Sequence, residues 1–168
     1  MFRHTLFLCF FVLASLHAGS AFAQSKAEPS FDMLKSLVGE WQGEGPDGSA
    51  VQLTYELFSG GSAVVEKMEP EGDKPSMITV YHLDGDNLMM THYCSAQNQP
   101  RMRAEPVKGG VEKIDFSFVD ATNLSDPSDG HMAGLVVSFL DDDHITQEWT
   151  FLAEGKKSPW TFEFERVK

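Results

Sequence analysis

Three side chains have the types and spacing to do chemistry: His92, Cys94 and His131. In Thr91-His92-Tyr93-Cys94 the histidine and cysteine stand two apart. On a strand that spacing puts both side chains on one face. With His131 from another strand they would offer two imidazoles and a thiolate, a set suited to zinc or copper. The ordinary alternative is a hydrogen-bonded histidine in a polar patch. Spacing this common favours the ordinary alternative, so no metal site is assigned.

Other chemistry has less to stand on. The chain has no Gly-x-Ser-x-Gly elbow, no His-Glu-x-x-His helix and no phosphate-cradling glycine loop. The acidic runs Asp126–Asp129 and Asp141–Asp143 lack the full calcium-loop pattern and its distal Glu. They read as solvated turns. Arg101 and Arg103 share a strand face and would meet a ligand carboxylate if that face were internal. On the outside they would balance neighbouring acids. No catalytic residue is assigned, and an enzyme is not expected.

The elements that must position these groups are strands. Val51, Leu53, Tyr55 and Leu57 alternate with Gln52, Thr54 and Glu56, the period of a half-buried strand. Similar segments run over 63–68, 77–83, 88–95, 101–107, 114–118, 131–140, 144–152 and 158–167. Asp84-Gly85-Asp86-Asn87 between two of them is a strong hairpin signal. About ten strands with mostly tight turns predict an all-β, up-and-down antiparallel barrel. Phe31, Leu34, Leu37 and Val38 have helical spacing, with Ser30 to cap and Gly39 to stop a short N-terminal helix closing one barrel end.

Alternation also predicts the interior. Trp160, Phe162, Phe164 and Arg166 share a face, as do Ile145, Gln147, Trp149 and Phe151. Pairing Phe139 with Ile145 would turn Val137, Leu135, Ala133 and His131 inward. Pairing Leu83 with Leu88 sets Tyr81 opposite Met90, Thr79 opposite His92 and Met77 opposite Cys94, and this face is the richer in large apolar groups.

Composition bounds the rest. Arg3 and His4, the apolar run Leu6–Leu16 and Ala21-Phe22-Ala23 form a secretory signal with cleavage after Ala23. The run is short of the ~20 apolar residues a membrane helix needs. Residues 24–30 read as a flexible lead-in and 31–168 as one domain. After cleavage no membrane-spanning segment is expected, and the protein should be periplasmic or secreted. Cys94 then has no intrachain partner, and a buried thiol is the expectation. The 13 Lys+Arg against 25 Asp+Glu give a net charge of −12, which disfavours nucleic acid as a partner.

The Gly39-x-Trp41 start and the late Arg166 resemble the calycin superfamily, which includes lipocalins and fatty-acid-binding proteins. That resemblance implies Arg166 packing over Trp41 to plug one end. Trp41-Gln42-Gly43-Glu44-Gly45 also resembles the first strand of nitrobindin-like haem barrels. This implies a haem ligand, with His131 the first candidate and His92 the second. Phe31-x-x-Leu34-x-x-Leu37-x-Gly39-x-Trp41, Tyr81-His82-Leu83-Asp84-Gly85-Asp86, Thr91-His92-Tyr93-Cys94 with Asn98-Gln99-Pro100-Arg101-Met102, Asp129-Gly130-His131-Met132 and Glu148-Trp149-Thr150 together resemble uncharacterised secreted bacterial proteins of lipocalin-like type. There a second His often follows two residues after the position of His131, where this chain has Ala133. That resemblance implies fold and compartment, and no activity.

The expectation is therefore a barrel holding a small, mostly apolar ligand. Tyr81, Met90, His92, Cys94, His131, Gln147, Trp149 and Trp160 would line the site, and no cofactor is specified. The alternative is a filled barrel serving as an interaction or structural protein of the cell envelope.

Overall fold

A computed structural model describes residues 24–72, 74–107 and 109–168. The expected signal, residues 1–23, lies outside them. The described residues form one α-helix, α1 (Glu28–Ser36), a single 3-10 turn (Ser59–Gly61) and ten strands: β1 (Gly39–Glu44), β2 (Ala50–Phe58), β3 (Ala63–Pro70), β4 (Met77–Asp84), β5 (Asn87–Tyr93), β6 (Gln99–Ala104), β7 (Lys113–Thr122), β8 (His131–Phe139), β9 (His144–Ala153) and β10 (Lys156–Arg166). Each strand runs antiparallel to its neighbours, and β1 pairs with both β2 and β10, so the barrel closes. Closure leaves no sheet edge along the paired length.

The tight turns set the registers. Leu83 faces Leu88, Tyr81 faces Met90 and Thr79 faces His92 across the Asp84–Asn87 hairpin, and the face carrying Tyr81, Met90 and His92 is the buried one. Phe139 faces Ile145. The alternation of β8 breaks, however, at Ala133. The register shifts between Met132 and Gly134, so Met132 faces Phe151 and Ala133 is the extra residue of a bulge. A bulge flips the faces beyond it. Met132 is therefore buried and Ala133, expected inside, is only half-buried.

The helix starts earlier than its apolar spacing suggests. Ala27 precedes it without a side-chain cap, Pro29 sits in its first turn where no N–H is needed, and Ser30 is buried within it rather than capping it. Ser25, in the segment read as a lead-in, donates its hydroxyl to the Gly85 carbonyl at 2.6 Å. Ala27, Phe31, Leu34 and Leu37 join the core from this end, and α1 packs on β4 and β5.

Arg166 ties the helix to the barrel. Its guanidinium lies 4.2 Å over the Trp41 ring and donates to the carbonyls of Ser36 (3.0 Å), Val38 (3.1 Å) and Asp142 (3.1 Å). Trp41 and Arg166 are also direct register partners. Two glycines make this closure possible. Gly39 has φ +132°, and a Cβ there would meet the Arg166 guanidinium at 3.3 Å. At Gly43 a Cβ would lie 1.9 Å from the Glu163 carbonyl oxygen. No side chain fits there, so the β1–β10 seam requires glycine.

Candidate functional site

At mid-barrel stands a carboxylate the alternation of its own strand turns inward. Val64, Glu66 and Met68 share the buried face of β3. The Oε2 of Glu66 accepts the hydroxyls of Tyr55 (2.7 Å) and Tyr81 (2.9 Å) and the amide of Gln147 (2.7 Å). Gln147 also donates to the Tyr55 oxygen at 2.8 Å, and its own carbonyl accepts the Trp149 indole N–H at 2.9 Å. Thr79 Oγ1 lies 3.4 Å from Glu66 Oε1 and 2.9 Å from His92 Nδ1.

Proton bookkeeping fixes the ends of this network. A hydroxyl has one proton to give. If Thr79 gives its proton to Glu66, His92 must donate from Nδ1 to the Thr79 oxygen. The lone pair then sits on Nε2, which is buried and has no partner. Burial pushes the His92 imidazole down to about 4, so the ring is neutral at neutral pH. Burial likewise raises Glu66 above the usual carboxylate range, in spite of the donors around it. It raises Tyr55 and Tyr81 well above an ordinary phenol, with the Glu66 charge adding to the effect.

The structure places the sequence-predicted residues in three groups. Tyr81, His92, Gln147 and Trp149 converge on the Glu66 network, with the His92 and Trp149 rings 4.5 Å apart. Met90 faces Tyr81 within the same core. Tyr81, Met90 and Gln147 have 0% exposure, so no void large enough for water touches them. His131 stands apart. Its Nδ1 pairs with the Asp129 carbonyl at 2.8 Å and its ring packs 4.8 Å from Phe118. Cys94 is half-buried just beyond β5, and burial raises its thiol. Among the described residues no group of three His, Cys, Asp or Glu side chains is placed to hold a metal ion.

Trp160 forms the third group, and the interior wall expected of it becomes a rim. It is 38% exposed, against 1% for Trp41 and 2% for Trp149. The cause is strand length. β10 pairs with β9 from Lys156 to Glu165 but with β1 only from Glu163 to Arg166. The stretch from Lys156 to Phe162 projects beyond β1 at the end opposite the helix. With one neighbour only, that stretch tolerates Pro159. Trp160 stacks on Phe151 of β9, with centroids 5.2 Å apart and an interplanar angle of 13°.

Under this overhang lies a cleft of about 380 Å³. Val51, Pro70, Pro75, Met77, Trp160 and Phe162 supply apolar walls. Lys74 and Asp47 stand at its edge, paired at 2.6 Å, with Lys74 also donating to Ser49 Oγ at 2.9 Å. The Lys74 hydrogen bond holds the Asp47 carboxyl well below the usual range. A cleft with apolar walls and a few convergent polar groups is the ordinary form of a small-molecule site.

Sequence reasoning missed Glu66 and the cleft loops. Glu66 had a signal, because it is the one charged residue on the Val64/Glu66/Met68 face. Pro70 ends β3, Lys74 and Pro75 come from the loop that follows it, and no periodicity encodes their convergence.

A ten-stranded antiparallel barrel with one short helix fits a calycin-like fold. No family model matches the chain, and no curated protein matches it significantly. Among solved structures it is similar to a protein of unknown function from the DUF3598 family of Nostoc punctiforme, with TM-score 0.55 and 14% identity. That match covers 80% of this chain and 48% of the other, so the chain spans about half the length of that protein. A structure of EF1p2_mFAP2b bound to DFHBI matches with TM-score 0.39 and 9% identity over 79% of this chain and 95% of the other. At these identities the first likeness shows the fold alone, and the second is too distant to argue from.

Proposed function

We propose that this protein is a secreted or periplasmic carrier that binds a small, mostly apolar ligand at the open mouth of its barrel. The observation that carries the reading is Trp160. A large aromatic ring left 38% exposed, stacked on Phe151 and facing an apolar cleft of about 380 Å³, is available surface for a ligand. The deep residues do not offer such surface, because they are packed against one another and hydrogen-bonded. The signal-like residues 1–23 support export, and amino-terminal sequencing of exported protein should begin at Gln24.

The test uses N-phenyl-1-naphthylamine, a neutral fluorescent probe. It should bind saturably and transfer energy from a tryptophan, and Trp160→Ala should weaken that binding by tenfold or more. Undiminished binding by the variant would refute the mouth site.

The filled-barrel alternative has one specific observation behind it. Ile78 and Tyr93 face each other on the outer wall and are 41% and 51% exposed, an apolar pair suited to protein contact. A concentration-dependent mass in sedimentation that is lost in Tyr93→Ser would favour it.

A further inference from the structure

We propose that three sulfurs in one row beneath the barrel rim, those of Met68, Met77 and Cys94, hold a soft monovalent metal ion, copper(I), together with the imidazole of His92.

The row follows from strand register. Val64, Glu66 and Met68 share the buried face of β3. Met68 faces Met77 of β4, and Glu66 faces Thr79. Thr79 in turn faces His92 of β5, and by the same register Met77 stands opposite Cys94. Two cross-strand rows therefore lie side by side on one inner wall. One is Glu66, Thr79 and His92; the other, nearer the mouth, is Met68, Met77 and Cys94. Directly opposed side chains on neighbouring strands lie about 5 Å apart at Cβ. Flexible thioether arms can thus bring both methionine sulfurs to an ion beside the Cys94 sulfur. Met77 and Cys94 are half-buried, and Met77 also lines the mouth cleft, which gives the ion a path in.

The deeper row prepares His92 as a ligand. Its Nδ1 lies 2.9 Å from Thr79 Oγ1, which lies 3.4 Å from Glu66 Oε1. With the Nδ1 proton donated to Thr79, the lone pair is on Nε2. Metal-binding histidines ordinarily donate their other N–H to an oxygen that fixes the tautomer in this way. Nε2 has no hydrogen-bond partner although His92 is only 2% exposed, and a buried orphan of this kind is costly. A metal ion that accepts the lone pair removes that cost. On the deeper side of His92, Tyr81 and Met90 are fully packed, so the sulfur row is its open side.

The donor set selects the ion. Thiolate and thioether sulfur are soft and favour copper(I), and imidazole also suits copper. Zinc ordinarily takes four ligands from Cys, His, Asp and Glu. Among the described residues no group of three such side chains is placed to hold a metal ion; this set reaches its ligand number through thioethers. Charge points the same way. Copper(I) takes the place of the Cys94 thiol proton, which leaves to solvent, and the net charge of the site is unchanged. A divalent ion would leave a positive charge that its ligands do not compensate, inside the barrel, where unpaired charge is costly.

The test uses residues 24–168, which contain the helix, the whole barrel and Cys94 as their single cysteine. Reduced protein, titrated with copper(I) without oxygen and with bicinchoninate as competing chelator, should retain a single ion per chain. Met77→Leu, which keeps the packing and removes the sulfur, and His92→Gln should each weaken retention by roughly tenfold or more. Cys94→Ser should abolish it, and excess zinc(II) should not displace the copper. Silver(I), a redox-inert stand-in, should shift the methyl signals of Met68 and Met77 in the folded wild type and leave those of Met33 and Met102 in place. Loss of all copper(I) to the chelator, displacement by zinc(II), undiminished retention in the Met77→Leu/His92→Gln double variant, or silver(I) shifts that spare both methyl groups would each overturn the site.

Discussion

Glu66 accepts the Tyr55 hydroxyl at 2.7 Å inside the barrel, where both residues are only 1% exposed. The pair joins β2 to β3, and Gln147 extends it across the barrel to β9. A buried carboxylate is costly unless its oxygens are filled, and here three donors converge on one of them. The network thus acts as a polar plug that fixes which strands face each other at mid-barrel.

Removing the plug's acceptor should therefore be expensive. Glu66→Ala leaves the Tyr55 and Tyr81 hydroxyls without an acceptor and takes one of the two acceptors of the Gln147 amide, which keeps the Tyr55 oxygen, at ~1–3 kcal/mol for each unsatisfied donor. Chemical denaturation should show a loss of about 3 kcal/mol or more. A loss below about 1 kcal/mol would mean that water enters the site freely.

Glu66→Gln separates charge from shape. Burial raises the folded carboxyl above its usual 4.5, so the folded state holds its proton over a window where the unfolded state has lost it. The stability due to Glu66 is present below pH 4.5 and lost as pH rises through the folded value. The glutamine variant lacks this decline. The stability gap between wild type and variant should therefore shift in the variant's favour as pH rises above 4.5.

His92 works in the opposite sense. Its ring titrates near 6.5 when unfolded and at about 4 when folded. Between those values the unfolded chain binds more protons, so stability falls as pH drops from 6.5 towards 4. Two and a half pH units correspond to roughly 3 kcal/mol. Denaturation from pH 7 to pH 4 should show this loss in wild type, and His92→Gln should remove that part of it. A His92 signal, assigned by its loss in His92→Gln, that titrates near 6.5 in the folded protein would contradict the burial described.

The β1–β10 seam gives a sharper mutational test. Gly43→Ala drives a methyl group into the Glu163 carbonyl, and the clashing atom is backbone, which cannot rotate away. We expect a loss of more than about 3 kcal/mol, read as a lowered melting temperature. Gly48→Ala, where a Cβ meets nothing within 4 Å although φ is +74°, should cost only about 1 kcal/mol.

Much of this was legible in the residues. The period of two in Trp160–Arg166 and Ile145–Phe151, with the Asp84–Asn87 turn, is enough to predict the barrel and the Tyr81–Met90 and Thr79–His92 pairings. Periodicity does not encode strand overlap, so it does not show that β10 outruns β1 and carries Trp160 to the rim. Nor does it show a bulge, and Ala133 loses its inward place to Met132 for that reason. Glu66 was missed on a different ground. A charged residue in a strand reads as solvent-facing until its tyrosine and glutamine partners, remote in sequence, are known to converge on it.

The central claim is that the ligand sits at the mouth and not among the deep residues. The most direct measurement is a map of backbone and side-chain chemical-shift changes on adding N-phenyl-1-naphthylamine to uniformly labelled residues 24–168. The account predicts the largest changes at the Trp160 indole N–H, the Met77 methyl group and Val51, with the Gln147 amide and the Trp149 indole N–H unmoved. Changes centred on Gln147, Trp149 and Met90, with Trp160 silent, would contradict it.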